Sequence, residues 1–589
     1  MSGLDLGVIG NGTVAGLINT RGDYQWLCLP RFDGEPVFNQ LLGGAGTFSI
    51  WMEGLKTRSQ AYDQNTAILR TRLEAEDGAI VEIIDFAPRF ESRGRVFRPA
   101  SIVRRFEVIA GAPQLRITLT PQANWGKAPI KPIRGVNHIR FTNEELAFRV
   151  TTDVPVSYIM SGTSFILDRA ATFILGADES LSDTAELIAI DWEDRTRKYW
   201  AKWARSLAVP FEWQAAVIRA AVTLKLCVFE ETGGIVAALT TSIPEHEGSE
   251  RNWDYRFCWI RDAYFSVTAL NRLSAMGTLE HYMRWVRNIV AHSKGGHIQP
   301  VYGIGLEADL TENLIDTLPG YRGMGPVRQG NQAAEHIQHD VYGQVVLGVV
   351  QSFFDERLLA TPTVAEFEQL EPVGERAFAV HDTPDAGIWE FRTIEQVHTS
   401  SAIMCWAACD RLAKIAAHLG LPDREKYWHD RATIIHHTIC DKAWNEQVGT
   451  FTAAFGGEAL DASVLLMAEI GFLPASDPRY VGTVEAVDRD LRVGNHVYRY
   501  KIEDDFGTPK TAFTACTFWL IDALHRIGRT EEARYMFEAV LDSRNHLGLL
   551  SEDVVPETGE LWGNFPQTYC MVGIINSAAL LSKPWTSVV

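Results

Sequence analysis

Near residue 190 the apolar periodicity switches from two to about 3.6, so no single layer architecture serves both halves of the chain. Upstream, short apolar runs alternate with Gly, Asn and Asp turns, as in LGVIGNGTVAGLINTRGDYQWLCL. The stretch AILRTRLEAEDGAIVEIIDFAPRF sets two alternating runs around EDGA, a hairpin signal. SFILDRAATFILGA continues in the same style. Many short strands, frequent turns and no long amphipathic helix predict a β-sandwich over residues 1–190. WEDRTRKYWAKWARSL, with tryptophans at 192, 200 and 203 and charges between them, predicts a linker helix over 191–209. Over 210–589 the helical period dominates, in runs such as EWQAAVIRAAVTLKLCVFE, SAIMCWAACDRLAKIAAHLG and TACTFWLIDALHRIGR. Consecutive helix pairs of this length predict an array or barrel of αα-hairpins. The lack of a fixed sequence period disfavours an open solenoid.

Charge narrows the partners. With 55 basic and 74 acidic residues the net charge is −19, which argues against nucleic acid and anionic membrane surfaces and fits a neutral substrate. The eight cysteines contain no C-x-x-C pair, and several lie in apolar runs, so neither a disulfide framework nor a zinc site is expected. The N-terminus lacks a basic n-region followed by an apolar h-region, and no run is long enough to span a bilayer. A cytoplasmic protein is expected; a homo-oligomer stays open.

Four stretches in the helical half combine aromatic rings with paired charges: NWDYRFCWIRDA (252–263), GYRGMGPVRQGNQAAE (320–335), DAGIWEFR (385–392) and LLSEDVVPETGELWGNFPQTY (549–569). A sugar suits such surroundings, because its C–H faces stack on rings while its hydroxyls pair with charges. In a closed helical barrel these loops converge on one end. Glu390 follows Trp389 in an apolar setting expected to raise its pKa, whereas Glu552 opens a polar loop and is expected to stay ionised. Two carboxyls so separated are what glycoside hydrolysis requires. The plainer reading is that most of the 74 acidic residues are surface charge.

In order and spacing these motifs, with CDRLAKIAAHLG and TFWLIDAL, resemble the glucoamylase family, glycoside hydrolase family fifteen. GLINTRGDYQWLCLPRFDGEPVFNQLLGG resembles the N-terminal domain of its bacterial trehalase-like and glucoamylase-like members. The resemblance implies a β-sandwich followed by an (α/α)6 barrel, and exo-hydrolysis of α-glucosides with inversion, releasing β-D-glucose; no cofactor or catalytic metal is expected. It implies that Glu390 is the general acid and Glu552 the general base. Arg261 and Asp262 match the pair holding hydroxyls of the non-reducing glucose, and Tyr255 and Trp259 match rings of that subsite. Trp389, Tyr321 and Arg322 match pocket-wall positions, and Arg499 an arginine reaching the leaving-group sugar.

Departures from the family pattern bear on specificity. Phe391 stands where starch-degrading members carry a second glutamate, and Thr511 and Ala512 replace a Glu-Gly pair. No starch-binding module is appended, so a disaccharide or short oligosaccharide such as trehalose, maltose or isomaltose is as credible as starch. The alternatives are α,α-trehalase activity on the same scaffold, glucosyl transfer, and a non-catalytic glucan-binding protein. Structural roles compete for several positions: core packing for Trp253, Trp389 and Trp562, a helix-capping ion pair for Arg261 and Asp262, and packing or surface placement for His336 and His339. For Arg31 and Asp33 interdomain packing is the expected role.

Overall fold

The computed structural model describes residues 3–144, 146–293 and 296–587. The strand-period half folds into antiparallel sheets. Among the described residues an eight-stranded sheet is the largest, running from Pro132–Arg134 at one edge to Leu55–Tyr62 at the other. The EDGA hairpin lies within it: Leu69–Ala75 pairs with Ile80–Phe86, and Gly78 takes the positive φ of the turn. Along Leu69–Ala75 every second residue is buried, the alternation of a strand with one face on a core. A four-stranded meander (Leu6–Gly10, Ala15–Asn19, Tyr24–Leu29, Glu35–Phe38) and a three-stranded sheet lie against it, as expected for a sandwich.

The helix read from the tryptophan-rich stretch runs from Ala185 to Arg205, starting before the expected residue 191. Thr184 caps it by accepting a hydrogen bond from the Leu187 amide. Its first turns bury Ala185, Ile188 and Ala189 against Ile84, Phe86, Val103 and Ile174, so the helix covers the outer face of the large sheet as well as linking the halves.

Beyond it, six helical segments among the described residues close a ring by neighbour contact: Ile260–Arg272, Asp340–Val350, Thr399–His418, the segment 462–470, Thr514–Arg526 and Thr568–Leu581. Asp340–Val350, Thr514–Arg526 and Thr568–Leu581 are buried on almost every side, as all-round apolar helices must be. Helices Met276–Ser293, Val364–Val380, Pro422–Lys442, Pro478–Asp490 and Thr530–Asp542 pack outside their inner neighbours. This is the barrel of αα-hairpins that the resemblance implies. One hydrophobic core runs from the sandwich into the barrel without a break. Among the described residues no helix is long and apolar enough to cross a membrane.

Candidate active site

The loops at one end of the helical ring enclose a cavity lined by Glu390 and Glu552 together with Tyr255, Trp259, Arg261, Asp262, Trp389 and Arg499. Glu390 sits in a tight turn whose Glu390 amide donates to the Gly387 carbonyl (3.2 Å) and whose Phe391 amide donates to that of Ala386 (3.1 Å). Its backbone lies in the left-handed region at φ 63°. That conformation costs a non-glycine residue on the order of 1–3 kcal/mol, and such strain gathers at functional sites.

The surroundings of Glu390 correct the apolar setting expected from Trp389. The Trp259 indole donates to its Oε1 at 2.6 Å, and an Arg261 nitrogen lies 3.2 Å from the same oxygen. Arg261 also donates to the Ile388 carbonyl and pairs with Asp262 at 3.0 Å. The two charges are therefore a local ion pair in the first turn of Ile260–Arg272 and also part of the cavity wall.

Glu552 directly precedes Asp553–Val554, the middle strand of a small sheet with Ala512–Phe513 and Leu561–Trp562. Tyr255 donates its hydroxyl to Glu552 Oε1 at 2.5 Å. Gly563 takes φ 75°, and a Cβ there would meet Glu552 Oε2 at 2.8 Å, so glycine leaves the carboxyl its place. Only 2 % of Glu552 is exposed. Burial first, then the Glu245 carboxylate, push its carboxyl well above the usual range. The expectation that Glu552 stays ionised in a polar loop is thus corrected: the loop folds inward and desolvates it.

The Tyr255 and Trp259 rings meet edge to face, with centroids 5.4 Å apart. The two carboxyls therefore hang from one rigid aromatic pair, Glu390 from the indole and Glu552 from the phenol. Stretch 252–263 owes its density to serving two sides. Tyr255, Trp259, Arg261 and Asp262 face the cavity, whereas Arg256 pairs with Asp254 and donates to the Gly34 carbonyl and the Cys28 sulfur of the sandwich.

Trp389 lines the cavity, with its indole N–H on Asp461 at 2.7 Å and its ring against Phe513 and Trp519. Arg499 is buried with its guanidinium 2.8 Å from Glu245 and 3.6 Å from Asp553. Tyr321 and Arg322 do not line the cavity. Tyr321 packs on Trp562, Arg322 pairs with Glu560 and lies over both rings, and the preceding Gly320 amide donates to the Leu42 carbonyl of the sandwich. Trp562 is core, as its structural reading has it.

The cavity also takes in residues that the sequence reading weighed for structural roles, Trp253 and His336, and others it passed over, Phe506, Arg392 and Glu245. Trp253, Phe506 and Arg392 form a half-buried rim in which the guanidinium lies 4.6 Å from the Trp253 centroid. His336 lines the cavity with both ring nitrogens buried and without a hydrogen-bond partner among the described residues, and burial keeps its pKa low. His339 does not line it; its amide donates to Asp385. Arg31 pairs with Asp33 and reaches Glu307 of the helical half at 3.3 Å, the interdomain role expected of the pair. Glu245 lies in TSIPEHEG, which has no aromatic neighbour to mark it.

Residues 5–171 match the family described as trehalase-like, N-terminal. The chain is 31 % identical to the Trehalase of Thermoplasma volcanium, covering 98 % of this chain and 93 % of that protein. It is 30 % identical to the Trehalase of Mycolicibacterium smegmatis, covering 97 % and 90 %. A crystal structure of a bacterial glucoamylase complexed with acarbose superposes with a TM-score of 0.70 at 13 % identity, over 98 % of this chain and 94 % of that one, a likeness of fold. Residues 213–579, which hold both glutamates and the aromatic pair between them, match glycosyl hydrolases family 15, and the chain belongs to that family.

Proposed function

We propose that this glycoside hydrolase cleaves α,α-trehalose, a neutral disaccharide, with inversion at one anomeric carbon. The chemistry rests on one observation: two carboxyls suspended in one cavity from adjoining rings, Glu390 beside a guanidinium and Glu552 desolvated. Glu390 protonates the glycosidic oxygen as the C–O bond breaks. Glu552, once deprotonated, takes a proton from the water that attacks the opposite face of the sugar ring. Trp259, Arg261 and Asp262 hold the glucose whose carbon inverts, and Trp389 forms the wall beside it. The rim of Trp253, Arg392 and Phe506 receives the departing glucose.

The choice of trehalose draws support from relatives named Trehalase that align with nearly the whole chain. A second reading, exo-hydrolysis of short malto- or isomalto-oligosaccharides, is favoured by the glucoamylase-like motifs; the apolar Phe391 beside the acid weighs against long chains. Glucose release from trehalose, maltose, isomaltose and starch separates the two. We expect kcat/KM on trehalose to exceed the others by at least about 100-fold. Equal or faster release from maltose would favour the second reading.

A further inference from the structure

Glu245 is a buried carboxylate to which the hydrolytic scheme above gives no task. It is 2 % exposed, and one of its carboxyl oxygens lies within 4.8 Å of one from Glu552 and one from Asp553. Its backbone is tied to the small sheet beside Glu552. The Thr511 hydroxyl shares its one proton between the Glu245 carbonyl (3.1 Å) and Asp553 Oδ1 (3.0 Å), and the Gly563 amide donates to the carbonyl of Pro244. Three carboxyls are thus packed together, with Arg499 as the cation within ion-pair distance of two of them. Arg251 stands 3.9 Å from Glu245 but is drawn away by its pairing with Asp504. Tyr255 donates to Glu552 Oε1 and the Asn564 backbone amide also faces the carboxyl, whereas the Cys570 thiol reaches only the Glu552 backbone carbonyl; none of the three carries a compensating positive charge.

We propose that Glu245 is the positioning residue of the general base: its carboxylate, shared with Arg499, fixes the proton affinity of Glu552 and so the acidic limit of activity. The inference rests on the reading of Glu552 as the base. Like charges a few ångströms apart in a desolvated site oppose each other's ionisation. Glu552 thereby becomes a stronger proton acceptor than an ordinary carboxylate, at the cost of being ionised only at higher pH. The direction of its shift, with Glu245 the leading charged contributor after burial, agrees.

The pH profile of kcat/KM tests this. Glu245→Gln removes the repelling charge and frees Arg499 to turn toward Glu552, so the acidic limb moves down by about one unit or more. The plateau rate falls with it, because the weaker base pulls less on the water proton. Glu245→Asp keeps the charge and holds the limb near its original place. Arg499→Gln leaves the carboxylates uncompensated and moves the limb up, which decides the matter if Glu245→Gln does not fold. An unmoved limb in Glu245→Gln, or in Arg499→Gln where only that variant folds, overturns the proposal; so does a raised KM with an unmoved limb, which makes Glu245 a substrate contact. Glu552→Gln separates the two failures. Undiminished turnover there removes the base reading, whereas an inactive Glu552→Gln beside an unmoved Glu245→Gln limb removes only this inference.

Discussion

In the mechanism we propose, two glutamates with different surroundings divide the labour of acid and base. Glu390 accepts from an indole and lies beside the Arg261 guanidinium, whereas Glu552 is buried, with one oxygen on a phenol and the other without a hydrogen-bond partner among the described residues. General acid–base assistance is worth about 10²–10⁴-fold per group. Glu390→Gln and Glu552→Gln should each lower kcat by that much or more while keeping the wild-type circular dichroism spectrum; near-normal turnover by a folded variant would remove that residue from the mechanism. Both glutamates are legible in the chain because a tryptophan or an S-E motif flags each. Their electrostatics are not. The partners that set them, Trp259 and Arg261 for Glu390 and Tyr255 and Glu245 for Glu552, are brought up from far along the chain. A flanking tryptophan says nothing of a guanidinium folded onto the same carboxyl, and a polar-looking loop says nothing of its own burial.

Among the elements, the turn that carries Glu390 is held from behind. The His398 ring stacks on Phe391 and fills the space that any side chain on Gly387 would need. Burial lowers the His398 pKa to about 4, so the folded turn holds a neutral ring. The unfolded chain binds that proton near pH 6.5 and the native one does not, so the stabilisation is complete above pH 6.5 and is lost as pH falls through about 4. His398→Phe keeps a stacking ring without the titration. Chemical unfolding should show the variant gaining on wild type by on the order of 3 kcal/mol between pH 7 and pH 4. A difference that does not change with pH would show that the ring bears no such load. The strand-to-helix switch and the apolar inner helices can be read from periodicity alone. The early start of Ala185–Arg205 cannot, because its first turn is decided by contact with the sheet and a threonine cap. Tyr321 and Arg322 share the aromatic-plus-charge composition of the cavity loops, yet that composition equally suits the seam between sandwich and barrel, where they lie.

Across the whole molecule the sandwich holds the barrel loops in place. Arg256, inside the stretch that supplies five cavity residues, is anchored on Gly34 and lies 5.0 Å over Trp125. Asn545 donates to the Leu4 and Leu6 carbonyls, and Arg89 pairs with Glu230. In the proposed mechanism the hydrolytic water and the glycosidic oxygen would each be served by a carboxyl fixed to this one frame. The most direct test is the anomeric form of the glucose released from trehalose, followed by proton NMR before mutarotation. Direct displacement by water inverts only the attacked carbon, so β-glucose and α-glucose should appear together in equal amounts from the first time point. Initial release of α-glucose alone would mean retention through a glycosyl-enzyme, placing Glu552 as a nucleophile and contradicting the account at its centre.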